Sequence, residues 1–323
     1  MHQTNPLEIK IRDFLHLSLE EGVEIPDEIL DDFLARTKAS IKKQFSKNVR
    51  STEFRLRMSN IGKDLRQLHL EKEYGSSQNA YEPEFKLKMI IGDITENVMV
   101  MLMKASGVNI ASENTKVSLT LADTTVEGEL DIELDEANGM KGIIDVKSAS
   151  DYSYNNKFRD FNSLLESGDE FGYIGQGFGY AFALTQEKYI KLKEDYSLTN
   201  EQAKAKSVTD FLGWFVVNKS TGEFKFVAAL KDYKATALAR IRATIEHFKF
   251  NKPIPPCAGV EDEVWYKKTT GNLVLGSKCT YCKCKEVCHP GIKLVNSPFA
   301  KGSGEGKPKW YVKLVNLGKG DKE

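Results

Sequence analysis

The sequence has no excess of either charge: Lys and Arg together number 46, as do Asp and Glu, so the net charge is zero. This balance excludes a protein whose entire surface is positive for binding nucleic acid. It leaves room for local basic faces, because charge acts where it is located. Hydrophobic residues make up 41% of the 323 residues, which is too large a share for a chain without a folded core.

The sequence also lacks an uninterrupted apolar run of about 18 residues, so we expect no membrane-spanning helix. The first residues, MHQTNPLEIKIRDF, lack the apolar centre of a signal peptide, and we therefore expect a cytoplasmic protein. Cysteine is absent before Cys257, and all five cysteines fall between Cys257 and Cys288. Because disulfides are rare in the cytoplasm, this cluster indicates a metal site.

Apolar periodicity predicts the order of helices and strands along the chain. Helices are predicted over 7–21, 27–47, 84–105, 170–193 and 232–250, and strands over 116–121, 124–134, 142–148, 211–217 and 223–229. This order predicts an α/β or α+β core with a mixed sheet and helices packed on it. We expect an N-terminal helical segment (1–50), a core (51–250) and a cysteine-cluster segment with a basic tail (251–323).

Two carboxylates and a lysine fall near the ends of neighbouring predicted strands. Asp131 lies near the end of one strand, and Asp145 and Lys147 lie near the end of the next, facing the same side. Burying such charges is costly unless they pair or bind something. The carboxylates could hold Mg²⁺, and the lysine could orient or activate a water molecule. An ordinary salt bridge on a surface hairpin is the alternative for this segment alone.

Three motifs in this order resemble those of the PD-(D/E)XK nuclease superfamily, specifically its RecB-like branch. They are Gly-x-x-Asp at 128–131, Asp-x-Lys at 145–147 and Gln-x-x-x-Tyr at 176–180. The resemblance implies a restriction-endonuclease-like α/β core with a central mixed β-sheet flanked by helices. It also implies catalysis by Asp131, Asp145 and Lys147, with Mg²⁺ or Mn²⁺ bound by the two aspartates and the Val146 carbonyl.

The resemblance implies further site residues on predicted helices. Gln176 and Tyr180 share one helix face and are expected to align the DNA strand, by hydrogen bonding and stacking respectively. An upstream Gly-x-x-x-Glu motif at 92–96 makes Glu96 a metal ligand and catalytic residue, with Asp93 and Glu113 as competing candidates.

An N-terminal motif of the branch, Gly-x-Cys-Pro-Arg-x-Leu, is matched at 62–68 with Asp64 in place of the cysteine. The matching arginine, Arg66, is expected to contact a phosphate of the DNA.

The cysteines resemble those of iron–sulfur exonucleases of this branch, including the CRISPR-associated exonuclease, the AddB nuclease domain and phage-encoded nucleases. The implied ligands are Cys257, Cys279, Cys282 and Cys288, with Cys284 and His289 as spare ligands. Four thiolates can hold a [4Fe–4S] cluster or a structural Zn²⁺, and both stay open here.

The last part of the chain is rich in lysine. Residues 265–323 carry twelve lysines and four acids, which predicts a flexible basic end that contacts nucleic acid. A solubilising tail is the alternative interpretation.

The resemblance as a whole implies a Mg²⁺- or Mn²⁺-dependent DNA exonuclease acting on single- or double-stranded ends. It would serve recombination, repair or phage DNA metabolism, with recombination or replication proteins as partners, and in the host cytoplasm if phage-encoded. Two alternatives stay open: a structure-specific endonuclease, and a catalytically inactive DNA-binding or scaffold protein with the same fold.

Overall fold

The computed structural model describes the predicted core and most of the C-terminal segment. The described residues are 5–46, 54–75, 83–194, 197–255, 259–280, 282, 284–299 and 306–316. The helices are α1 (Pro6–Glu20), α2 (Asp27–Phe45), α3 (Leu65–Tyr74), α4 (Pro83–Ala105), α5 (Phe161–Glu166), α6 (Tyr173–Lys193), α7 (Asn200–Ser207), α8 (Lys234–Lys249), α9 (Ser277–Thr280) and α10 (Lys285–Cys288). The strands are β1 (Ile110–Leu121), β2 (Thr124–Leu134), β3 (Gly142–Ala149), β4 (Phe211–Asn218), β5 (Phe224–Ala228), β6 (Val260–Trp265), β7 (Lys268–Leu275), β8 (Lys293–Asn296) and β9 (Pro308–Lys313).

The first sheet confirms the predicted mixed α/β architecture. Its strand order is β1-β2-β3-β4-β5, and every neighbouring pair is antiparallel except β3 and β4, which are parallel. Parallel strands need a long crossover connection, and here α5, α6 and α7 lie between β3 and β4.

Helices cover the first sheet on both faces, which explains why β3 is buried along most of its length. On one face, Ile143 and Trp214 belong to a core that includes Phe178 of α6 and Ile241 of α8. On the other face, a second core combines residues of α1, α4 and the sheet: Leu7, Ile11, Met99, Met103, Ile144, Val146 and Phe215.

Local sequence signals set the helix ends. Asn5 accepts a hydrogen bond from the Leu7 N–H, and Pro6 follows as the first residue of α1. Asp64 accepts from the N–H groups of Arg66 and Gln67 and so caps α3. Asp64, which stands where the similar nuclease motif has a cysteine, therefore caps α3, a helix that was not predicted.

The C-terminal segment forms a second sheet, so the prediction of a flexible basic end over 265–323 is wrong for the strands β7, β8 and β9. Its order is β6-β7-β9-β8, and all its pairs are antiparallel. The buried carboxylate of Glu263 holds the strands together. It accepts hydrogen bonds from Tyr311 Oη at 2.6 Å, Asn272 Nδ2 at 2.8 Å and Lys309 Nζ at 2.9 Å.

The cysteine segment packs on α3. Cys282 and Cys284 are buried against Leu70 of that helix. Next to them, His69 Nδ1 lies 2.9 Å from His247 Nε2 and links α3 to α8. Among the described residues, no helix is both long and apolar enough to cross a membrane.

Candidate active site

The site forms where β2 and β3 separate. The two strands pair from Ile132 with Ile144 to Leu134 with Gly142, and the pairing ends one residue before Asp131 and Asp145. In place of the next ladder bond, the Val146 N–H donates to Asp131 Oδ2 at 2.8 Å. The opening between the strands thus carries one carboxylate on each side.

Asp145 and Lys147 project together, as their two-residue spacing predicts. Lys147 Nζ lies 2.5 Å from Asp145 Oδ2. This ion pair is the compensation that Asp145 has, and no other donor in the described part of the chain hydrogen-bonds to either of its oxygens. Asp145 is only 1% exposed, so these oxygens are shielded from solvent and incompletely compensated.

Glu96 approaches the carboxylates from α4, which packs against β3. Gly92, one turn earlier, faces β3, where a Cβ would lie in ordinary van der Waals contact with Ser148 Oγ at 3.8 Å. Burial and the nearby Asp131 raise the pKa of Glu96 to about 8, although Arg36 and Lys147 oppose the shift.

The same crowding affects the other charged groups. Burial and then Asp145 raise the pKa of Asp131 to about 8, with Lys147 acting in the opposite direction. Burial lowers the pKa of Lys147, but Asp145 and Asp131 outweigh it, so the overall shift is upward. Lys147 is therefore an ammonium ion paired with Asp145, while the raised pKa values of Glu96 and Asp131 show that these two acids are less well compensated.

Arg36 of α2 is a site residue that the sequence patterns did not indicate. Its Nη2 lies 3.8 Å from Glu96 Oε1, and it also forms an ion pair with Glu113. Lys104 Nζ reaches the other oxygen of Glu113 at 2.5 Å. Glu113 is thus occupied by two cations, which leaves Glu96 as the better ligand candidate on this side.

Asp93, the other competing candidate, accepts a hydrogen bond from Gln44 Nε2 at 2.9 Å. Arg36 and Gln44 both lie on α2, far in sequence from Glu96 and Asp93, so no local spacing could have revealed their contacts with these residues.

Gln176 and Tyr180 share a helix face as predicted, but they contact each other. Gln176 Nε2 donates to Tyr180 Oη at 3.1 Å. Tyr180 is 3% exposed and lies under β2, where a Cβ on Gly128 would come within 2.7 Å of its ring. Burial raises the pKa of Tyr180. In this structure Tyr180 is a core residue that packs against β2, the strand that carries Asp131. Its ring is not accessible for stacking on DNA.

Arg66 lies against the cysteine segment. Its Nε donates to Cys288 Sγ at 3.2 Å, and its Nη1 donates to the Pro255 carbonyl at 2.5 Å. The guanidinium of Arg66 therefore bridges α3 to the C-terminal segment in this structure, which differs from the expected phosphate contact.

The four described cysteines are reduced, and Cys257 lies outside the described residues. The Cys282 and Cys284 thiols hydrogen-bond to each other, which lowers the pKa of Cys282 to about 7 and raises that of Cys284. Across the described ranges, no three His, Cys, Asp or Glu side chains are placed to hold a metal ion together.

The donor types nevertheless fit the implied metals. The solvent-shielded oxygens of Asp145, without hydrogen-bond partners, and its acidic neighbours suit a hard divalent cation. The clustered thiols of Cys282, Cys284 and Cys288 suit iron–sulfur or zinc.

No protein-family model and no curated protein matches the chain. Among solved structures, the protein SSO0001 is similar with a TM-score of 0.38 and 10% sequence identity, covering 80% of this chain and 96% of that one. This likeness is too weak to assign a family.

Proposed function

We propose that the protein is a metal-dependent deoxyribonuclease that hydrolyses phosphodiester bonds at the opening between β2 and β3. The observation that carries the proposal is the buried pair of Asp131 and Asp145 with Lys147 on the same strand face. Their motif order resembles that of RecB-like nucleases. Perturbed charges at a strand end are also typical of functional sites.

Glu96, Asp131, Asp145 and the Val146 carbonyl would hold Mg²⁺ or Mn²⁺. When bound, such a cation polarises the phosphodiester and lowers the pKa of a water molecule. The support for this ligand set is that Asp145 has no donor beyond the Lys147 ammonium among the described residues, that Asp131 raises the pKa of Glu96, and that Asp145 raises the pKa of Asp131. Arg36 positions Glu96 from the side facing α2.

Lys147 acts as a hydrogen-bond donor in this proposal. Asp145 and Asp131 raise its pKa, which favours the protonated, donating form of the side chain. Its ammonium group can orient the attacking water and stabilise negative charge that develops on the phosphate oxygens. The Tyr173 ring, 5.1 Å from Nζ, limits where the lysine can move.

The cysteine segment would carry a structural metal, either a [4Fe–4S] cluster or Zn²⁺, and would hold the chain end on α3. Arg66 supports this role through its contact with Cys288. We place the protein in the cytoplasm, where thiols stay reduced. We assign it to DNA recombination, repair or phage DNA metabolism.

A cleavage assay tests the proposal. Wild-type protein and the Lys147→Ala and Asp145→Ala variants are incubated with end-labelled linear and with circular single-stranded DNA, in Mg²⁺, Mn²⁺ or chelator. We expect metal-dependent loss of linear DNA with the wild type and a loss of activity of at least about 10³-fold in both variants. Circular dichroism confirms that the variants are folded.

Each outcome of that assay separates the alternatives. Resistance of circles supports an exonuclease, because a circle has no end, whereas cutting of circles supports the endonuclease. Activity of Asp145→Ala equal to wild type would refute the assigned site. Binding of DNA without cleavage in any metal would favour the inactive DNA-binding protein.

A further inference from the structure

A cavity of about 200 Å³ lies beside the catalytic strand, and the proposed chemistry does not use it. Its wall includes Ser148 and Ala149, which follow Lys147 in β3. It also includes Tyr173, the residue whose ring contacts Lys147. A group held in this cavity would therefore lie next to the phosphate that Lys147 approaches.

The mouth of the cavity carries an aromatic surface. Phe171 lines it and is 49% exposed. Its ring stacks on Tyr173 with centroids 5.5 Å apart and an interplanar angle of 26°. Proteins that hold single strands stack unpaired bases on aromatic rings of this kind.

The cavity also contains a buried acceptor without a donor. The Glu170 side chain is 6% exposed and forms an ion pair with Lys157 through Oε1. Its second oxygen, Oε2, is buried and has no hydrogen-bond partner among the described residues. Because an unsatisfied buried acceptor is costly, a ligand that brings an N–H group to Oε2 would bind favourably.

We infer that the cavity holds a nucleobase of the bound strand, stacked on Phe171 and donating an exocyclic amino group to Glu170 Oε2. The inference rests on the proposed nuclease function and adds a base preference to it. Two acids, Asp169 and Glu170, and two lysines, Lys157 and Lys219, line the cavity, so it has no excess of positive charge that would favour a phosphate over a base. Cytosine offers an N4 amino donor where thymine has an O4 acceptor, so the carboxylate of Glu170 favours cytosine over thymine at this position.

Cleavage of oligo-dC and oligo-dT tests this preference, since the two substrates differ at the group that faces Glu170. The wild type is expected to cut oligo-dC about 10-fold faster, as one hydrogen bond to a charged group allows. In Glu170→Gln the ratio is expected to fall to about one. Equal cutting by the wild type, or an unchanged ratio in a folded Glu170→Gln protein, would overturn the inference.

Phe171→Ala provides a second variant that avoids the buried ion pair. It is expected to slow cleavage of both substrates about 10-fold and to keep their ratio, because stacking does not distinguish the two bases. Phe250→Ala removes another exposed ring, at the end of α8, and is expected to change neither rate. Equal rates in Phe171→Ala and wild type would contradict the stacking role.

Binding measurements separate this inference from the proposed function. If no substrate is cut, fluorescence anisotropy with labelled oligo-dC and oligo-dT tests whether the base pocket exists. Tighter binding of oligo-dC that is lost in Glu170→Gln would keep the base pocket and remove only the nuclease activity. Equal binding of the two oligonucleotides, or none, would overturn the pocket.

Discussion

The buried ion pair of Asp145 and Lys147 indicates a ligand-binding site through its unfavourable energetics. A buried ion pair contributes little net stability, because desolvation offsets the attraction of the charges. Here the pair also leaves both oxygens of Asp145 without hydrogen bonds in the described chain. An arrangement so poor for stability is better explained by ligand binding than by folding.

Gly128 lies three residues before Asp131 in β2, at a point where this strand packs closely on Met58 and Tyr180. A Cβ at this position would lie 2.4 Å from Met58 Cβ and 2.7 Å from the Tyr180 ring. We expect Gly128→Ala to lower the free energy of unfolding by about 1–3 kcal/mol through overpacking, and to reduce cleavage by displacing β2. Urea denaturation measures the first effect.

The control for Gly128 is Gly139, whose φ of 71° favours Gly or Asn and which has no atom within 4 Å of an added Cβ. Gly139→Asn should therefore change the free energy of unfolding by less than about 1 kcal/mol. A Gly128→Ala protein as stable as the wild type would contradict the packing argument.

At the scale of elements, α6 explains why a helix with three glycines forms in the middle of the core. Gly175 lies against Gly62, Gly177 against the Phe211 ring, and Gly179 against Met58. Each glycine permits a close approach that a side chain would prevent. The helix loses intrinsic propensity but gains contact with β4 and with the 54–64 segment.

Local patterns predicted the helices and strands that such patterns encode. The predicted helix over 27–47 is α2, the predicted strand over 124–134 is β2, and Asp145 and Lys147 do project together. The side-chain contacts that the sequence did not predict join residues far apart in the chain. Arg66 contacts a residue 222 positions away, and Tyr180 is buried by a loop and a strand outside its own helix.

The second sheet was missed because its strands are short and are arranged around one carboxylate. Burial opposes ionisation of Glu263, but hydrogen bonds from Tyr311, Asn272 and Lys309 outweigh it and lower its pKa to about 2. We expect Glu263→Gln to lower the free energy of unfolding by about 2–4 kcal/mol at pH 7. Chemical denaturation measures the loss.

The sign of the pH dependence follows from the lowered pKa of Glu263. Its contribution is complete above the unfolded pKa of about 4.5 and is lost as pH falls towards 2, so the difference between wild type and variant should shrink over that range. Asp262→Asn, an exposed position in the same strand, is the control. Equal effects of the two substitutions would show that Glu263 does not organise the sheet.

At the scale of the whole molecule, the cysteine segment closes the chain end onto the core through α3. We expect the purified protein to contain bound iron or zinc, and Cys282→Ser to lose it and to melt at a lower temperature. Cys284→Ser should keep the metal, because Cys284 is a spare ligand in the implied set. Elemental analysis identifies the metal, and its retention by Cys282→Ser would contradict the ligand assignment.

The central claim is that a divalent cation binds between β2 and β3, and anomalous diffraction from crystals soaked in Mn²⁺ tests it most directly. The account predicts an anomalous peak beside Asp131 and Asp145 that is absent from crystals of the Asp145→Ala variant. Mn²⁺ bound only elsewhere on the protein, or no peak at saturating Mn²⁺, would contradict it.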